Sequence, residues 1–66
     1  MQNISDKNLD WLDKVLGQGR SISATRLAGV WKFKVSRLDG GASDGAHHVV
    51  DEALSSCREN DSRDEK

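Results

Sequence analysis

The chain lacks proline and has one cysteine, two tryptophans and one phenylalanine among its 66 residues, and it has no tyrosine. A single cysteine cannot form an internal disulfide, which speaks against a disulfide-stabilised secreted domain and predicts a cytoplasmic location. No apolar stretch approaches the roughly 20 residues that cross a bilayer, so no membrane association is predicted. A chain this short can hardly enclose a catalytic cleft. We therefore expect one small domain that is not an enzyme and needs no cofactor.

The net charge of −1 conceals an uneven distribution along the chain. Residues 1–13 and 39–66 are acidic on balance, whereas residues 14–38 carry no acidic side chain. The basic side chains of that central segment are Lys14, Arg20, Arg26, Lys32, Lys34 and Arg37. Clustered positive charge gains affinity for nucleic acid by releasing counterions from the phosphate backbone. The segment indicates a DNA-binding surface, although the same charges could simply solvate a small domain.

The hydrophobic pattern predicts an α+β fold that starts with a helix and continues as a hairpin. Residues 5–16 are expected to be helical because Ser5 is a good N-cap and three leucines follow at helical spacing. Residues 24–27 and 30–35 alternate between two faces, and Ala28-Gly29 suits a tight turn between them. We therefore predict a two-stranded β-hairpin with its apolar side chains on one face and its lysines on the other.

The C-terminal part predicts a flexible link at residues 39–43 and a second amphipathic helix at residues 44–58. Cys57 continues the apolar stripe of that helix and is expected to be a small buried side chain. Because His47 and His48 are adjacent, they cannot face one metal ion from a helix, and no metal site is predicted. Residues 59–66 have no apolar side chain and are expected to form a disordered charged tail.

Residues 22–39, ISATRLAGVWKFKVSRLD, resemble the β-hairpin wing and following turn of excisionase-like helix-turn-helix proteins, relatives of the mercury-resistance regulators. The tight turn followed by Trp31-Lys32-Phe33-Lys34 is the most specific part of the resemblance. It covers just over a quarter of the chain, and the first helix of the family's module has no counterpart before Ser5. Residues 1–58 are accordingly interpreted as one partial winged module.

The resemblance implies a small DNA-binding accessory or transcription-regulating protein that contacts the DNA backbone through the wing. Trp31, Phe33 and Leu27 would hold the hairpin on the helices. A recombinase or another protein would be recruited through the acidic second helix and tail. The residues expected to contact phosphates or line a minor groove are Arg26, Lys32, Lys34 and Arg37, extended by Lys14 and Arg20.

Two alternatives stay open. The chain could be a protein-interaction module, such as a phage or plasmid inhibitor or an antitoxin-like partner, whose helices form a homodimer or dock on a target. It could also be a truncated reading frame. In a module without DNA binding, Lys32 and Lys34 would protect an exposed strand from edge pairing. Trp11, at the margin of the first helix's apolar stripe, would face a partner.

Overall fold

Five elements follow one another in the computed structural model, which describes residues 4–64. They are helix α1 (Asp6–Gly17), strands β1 (Ile22–Leu27), β2 (Val30–Ser36) and β3 (Ala42–His47), and helix α2 (Val50–Asp64). The strands form an antiparallel sheet in the order β1-β2-β3, so that β2 is central and β1 and β3 are its edges. The predicted α+β class is confirmed, but the predicted two-stranded hairpin is part of a three-stranded sheet.

Helix α1 begins directly after Ser5, as the sequence predicts. The Ser5 Oγ accepts a hydrogen bond from the Asn8 backbone N–H at 3.4 Å, which satisfies one free donor of the first turn. Asp6 places a negative charge near the positive end of the helix dipole. The start of α1 is therefore fixed by local chemistry.

The leucine spacing predicts that the leucines of α1 are buried, and this prediction is wrong for two of the three. Leu9 and Leu16 are 47% and 58% exposed, whereas Asn8 and Val15 are buried. The reason is sideways packing against α2, where the Asn8 Nδ2 donates to the Asp51 Oδ1 at 2.7 Å and to the Asp51 backbone oxygen at 3.1 Å. The buried face of α1 therefore includes the polar Asn8 instead of its neighbour Leu9.

The hairpin of β1 and β2 follows from its two-residue turn. Ala28 and Gly29 have φ values of 53° and 77°, the left-handed conformations that match the twist of the flanking strands. Leu27 lies opposite Val30, and the register continues to Ile22 opposite Val35. Each strand is longer than predicted, by two residues at the start of β1 and by one at the end of β2.

Strand β3 replaces what was predicted to be a link and the start of the second helix. Ser43 and Gly45 alternate onto the buried face of the sheet, while Asp44 and Ala46 are exposed on the other face. Because Gly45 has no side chain, α2 passes close to the backbone of β3 there. The strand is therefore formed by nonlocal packing, and α2 begins only at Val50.

The predicted disordered tail is wrong for residues 59–64, which form the last turns of α2. Asp61 in these turns is buried, and its carboxylate pairs with Arg20. Asp61 can lie on the buried face of α2 because its partner, Arg20, lies on the neighbouring loop between α1 and β1. Residues 65 and 66, which the prediction also included, lie outside the described residues.

Helix α2 packs on one face of the sheet, against β2 and β3, and α1 packs against α2 on the same side. The opposite face of the sheet is exposed to solvent. The buried apolar side chains come from α1, β2 and α2: Val15, Phe33, Val35, Val50, Ala53, Leu54 and Cys57. Trp31 is half-buried at the end of this core nearest the hairpin turn. Among residues 4–64, no helix has the length and apolar character needed to cross a membrane.

Candidate binding groove and the placement of the basic residues

The six basic residues predicted to bind DNA do not share one surface. Lys32 and Lys34 are exposed on the uncovered outer face of the sheet, and Lys34 lies opposite Asp44 in the register. Arg26 is on the inner face, opposite Trp31. The others lie in the last turn of α1, in the loop that follows it and after β2: Lys14, Arg20 and Arg37. Folding therefore divides a run of charge that is continuous in the sequence.

Arg20 is engaged within the protein. Its guanidinium donates to the Ser36 backbone oxygen at 2.7 Å, to the Gln18 Oε1 at 3.3 Å and to the Asp61 Oδ1 at 2.5 Å. The two side chains of the Arg20–Asp61 ion pair are only 11% and 9% exposed. The pair connects the end of α2 to the end of β2, so the Arg20 guanidinium is engaged in contacts within the protein.

Arg37 also has an acidic partner. Its Nε lies 3.2 Å from the Asp39 Oδ1, and the same oxygen accepts the Gly41 backbone N–H at 2.9 Å. These donors hold the pKa of Asp39 below its ordinary value, the Gly41 N–H contributing most and Arg37 next. The arrangement shapes the connection between β2 and β3.

An open groove of about 520 Å³ lies at the end of the core nearest the hairpin turn. It is lined by residues that precede α1, from the inner face of the hairpin and from the start of α2: Ile4, Arg26, Trp31, Phe33 and Val50. Four of these five side chains are apolar. The groove is thus an exposed extension of the hydrophobic core.

Trp31 is the central side chain of the groove. Its ring is nearly parallel to that of Phe33, with an interplanar angle of 5° and 6.2 Å between centroids. The Arg26 guanidinium lies 5.4 Å from the Trp31 ring centroid, within range of a cation–π interaction. The Trp31 Nε1 is shielded from solvent and has no hydrogen-bond acceptor among residues 4–64. An apolar surface therefore lies beside a cation.

Trp11 and Lys14 lie at the other end of the helix pair. They line a small cavity of about 50 Å³ together with Arg20 and Asp61. A polar cavity of this size can hold ordered water. Trp11 is half-buried there against the core, so its predicted role in facing a partner is not favoured by this placement.

Metal ligation and cysteine chemistry are not favoured by the side chains of the described residues. No group of three or more His, Cys, Asp or Glu side chains within residues 4–64 could hold a metal ion. Cys57 is fully buried, as predicted, and its thiol donates to the Ser43 backbone oxygen at 3.5 Å. Burial, followed by the charges of Asp61 and Asp44, raises the pKa of this thiol to about 11. Such a thiol is unsuited to act as a nucleophile.

The sequence analysis did not predict the groove, although the sequence does indicate the part of its lining that comes from the hairpin. Alternation from the Ala28-Gly29 turn already places Arg26 on the same face as Trp31 and Phe33. The contribution of Ile4 and Val50 depends on tertiary packing and has no local sequence pattern. Comparison of the chain with known protein families, with curated proteins and with solved structures gives no significant match.

Proposed function

We propose that this chain is a small, non-enzymatic interaction module that binds a segment of a partner polypeptide in the groove beside Trp31. The observation that carries the proposal is the open apolar space lined by Trp31 and Phe33, with Arg26 at its side. Burial of one large apolar side chain there is worth about 1.5–3 kcal/mol. Tryptophan and arginine are also among the residues that most often dominate interface energies.

A polypeptide fits this groove better than a compact small molecule. The groove is open to solvent, whereas small-molecule sites bury most of the ligand surface. It also borders β1, an edge strand, so an occupant can combine a buried side chain with main-chain hydrogen bonds. This reading corresponds to the protein-interaction alternative of the sequence analysis.

The proposal is tested by selecting heptapeptides from a random phage-displayed library and measuring their affinities by calorimetry. We expect the selected peptides to share a large apolar residue, and Trp31→Leu to weaken their binding about tenfold or more. The matched control is Lys32→Ala. Lys32 follows Trp31 in β2 but lies on the outer face of the sheet, so this change should leave the affinity unchanged. The proposal is wrong if no peptide is selected, or if Lys32→Ala weakens binding and Trp31→Leu does not.

A second candidate function is DNA binding of the kind implied by the resemblance to excisionase-like proteins. It is favoured by the exposure of Lys32 and Lys34 on a sheet face that no described helix covers. Since β2 is the central strand, these lysines do not lie on a sheet edge, and protection against edge pairing does not account for them. Recruitment of a recombinase or another protein would accompany this function.

Duplex binding tests the second candidate with the same variants in reversed roles. If the lysines contact phosphates, Lys32→Ala combined with Lys34→Ala should weaken binding to any duplex and reduce the salt slope by about two. Trp31→Leu should leave duplex affinity unchanged. Absence of a gel shift at low salt, or a shift that the double variant retains, would contradict DNA binding through this face.

A further inference from the structure

We infer that the ligand of the groove is an extended peptide that adds to β1 as a fourth, antiparallel strand and carries an acidic residue two positions before a large apolar one. The inference rests on the proposed function and specifies its ligand. Its basis is the juxtaposition of an open strand edge, a small exposed residue next to Phe33, and Arg26 beside Trp31.

The edge of β1 is available for pairing. Within residues 4–64, β1 pairs only with β2. The Ser36 N–H donates to the Ser21 oxygen across the start of the hairpin, and bonded and non-bonded pairs alternate along an antiparallel ladder. The backbone groups of Ala24 and Arg26 are therefore directed toward the open edge. A strand that pairs there would satisfy them.

Natural edge strands usually carry devices that prevent such pairing. The common ones are proline, lysine, an inward-pointing charge, a bulge and a covering loop. β1 (ISATRL) contains neither proline nor lysine, and its inward-pointing charge is that of Arg26. Its paired register with β2 is continuous from Ile22 to Leu27, without a bulge. Arg26 is its only charged residue. The edge is thus suited to accept another strand, provided that the incoming strand is compatible with this cation.

The position for the apolar residue is set by Ala24. Ala24 lies opposite Phe33 on the inner face and is exposed, so no large side chain of β1 covers the flank of Phe33. On an added strand, the residue opposite Ala24 would have its Cβ about 5 Å away on the same face. A leucine-sized side chain at this point would extend over Ala24 into the apolar groove.

The position for the acidic residue is set by Arg26. Its guanidinium lies over Trp31 and has no ion-pair partner among residues 4–64. A carboxylate on the added strand opposite Arg26 would accept from the guanidinium in the geometry that favours Arg–carboxylate pairs.

The direction of the strand fixes the order of the two residues. Both existing strand pairs are antiparallel, and antiparallel pairing is slightly more stable per residue than parallel pairing. In an antiparallel added strand, the residue opposite Arg26 comes two positions before the residue opposite Ala24. The ligand pattern is therefore acid-x-apolar, and the reversed pattern, apolar-x-acid, cannot place both side chains correctly in one antiparallel register.

The test uses capped heptapeptides that differ only in this pattern. The probe is acetyl-Thr-Thr-Glu-Thr-Leu-Thr-Thr-amide, and its controls are the reversed sequence and the variant with Gln in place of Glu. We expect the probe to bind about tenfold more tightly than either control, and Arg26→Gln to abolish its preference for Glu over Gln. Hydrogen exchange of the Ala24 and Arg26 amides should slow in the complex, while that of the Ser23 and Thr25 amides should not change.

Each other outcome overturns a defined claim. Equal affinity for the probe and the reversed peptide would overturn the strand direction, and a Glu preference that survives Arg26→Gln would overturn the acidic pairing. If library-selected peptides bind at Trp31 but the probe does not, or if the Ala24 and Arg26 amides are not protected, strand addition is wrong and the proposed function stands. If neither the probe nor any selected peptide binds, the proposed function fails with it.

Discussion

Gly45 lies directly against the backbone of α2 at Cys57. A Cβ atom at Gly45 would lie 2.8 Å from the Cys57 Cα and 2.7 Å from the Ala53 backbone oxygen, and it would also clash with the Cys57 backbone nitrogen. All of these are main-chain or Cα positions that no side-chain rotation can relieve. The absence of a side chain at Gly45 is therefore what allows α2 to pack on β3.

The first prediction concerns this contact. Gly45→Ala should lower the free energy of unfolding by about 1–3 kcal/mol or more, because the added methyl group forces the helix away from the sheet. Urea titration followed by tryptophan fluorescence measures the change. The control is Gly17→Ala at the end of α1, where a Cβ meets nothing within 4 Å, and which should be neutral or slightly stabilising. Equal losses in the two variants would contradict the close packing.

The second prediction concerns the end of α2. Asp61→Ala should lower the free energy of unfolding by about 3 kcal/mol, because it leaves the Arg20 guanidinium without its acidic partner in a largely buried position. Glu59→Ala, an exposed change on the same helical turn, should stay within about 0.5 kcal/mol. Chemical denaturation of both variants decides the point. If both changes are neutral, the last turns of α2 do not contribute to the folded state.

The third prediction concerns the hairpin turn. Ala28 adopts a positive φ of 53°, which costs a residue with a Cβ about 1–2 kcal/mol, whereas asparagine tolerates this conformation. Ala28→Asn should therefore raise the midpoint of thermal unfolding. Ala28→Val, with a branched side chain, should lower it. Circular dichroism melts of the three proteins provide the comparison, and the reverse order would contradict the turn conformation.

The hairpin could be predicted from the sequence because its determinants are local. Alternation assigns Phe33 and Val35 to one face, and a two-residue turn at Ala28-Gly29 fixes the register of the strands. The N-cap at Ser5 similarly fixes the start of α1. Each of these features depends on residues within a few positions of one another.

Strand β3 and the groove depend instead on contacts between distant segments. The β3 sequence ASDGAH has little intrinsic strand propensity, and its buried residues Ser43 and Gly45 are favourable only because α2 covers them. A glycine within a strand often marks a close backbone approach, and Gly45 is such an indication in the sequence of β3. The charge of Arg26 is evident from the sequence, whereas its contact with Trp31 depends on the strand register that places the two residues opposite each other.

The fourth prediction concerns stability in acid. The Asp51 Oδ1 accepts the Ser5 backbone N–H at 2.8 Å and the Asn8 Nδ2 at 2.7 Å, and these donors, Ser5 first, lower the pKa of Asp51 below its ordinary value of 3.8. As the pH falls below about 4, the unfolded chain takes up the proton before the folded one does. The stabilisation is therefore present near neutral pH and is lost as the pH falls through the folded pKa.

Asp51→Asn should consequently reduce the loss of stability between about pH 5 and pH 3, measured by urea titration at each pH. Some acid dependence should persist because the pKa of Asp39 is lowered as well, chiefly by the Gly41 N–H. The double variant with Asp39→Asn should show a still smaller loss. An acid dependence that Asp51→Asn leaves unchanged would mean that the link between Ser5 and α2 does not persist in solution.

The fifth prediction concerns the alkaline side. Because burial raises the pKa of Cys57 from 9.0 to about 11, the folded chain keeps the thiol proton over a range in which the unfolded chain has released it. The resulting stabilisation is complete below about pH 9 and is lost as the pH rises toward about 11. At pH 8 the folded thiolate fraction is about one hundredth of the unfolded one, so alkylation by iodoacetamide should be slower by about that factor or more. Mass spectrometry of the labelled chain, with and without denaturant, measures the ratio; equal rates would show that Cys57 is exposed and that the packing of α2 on β3 is wrong.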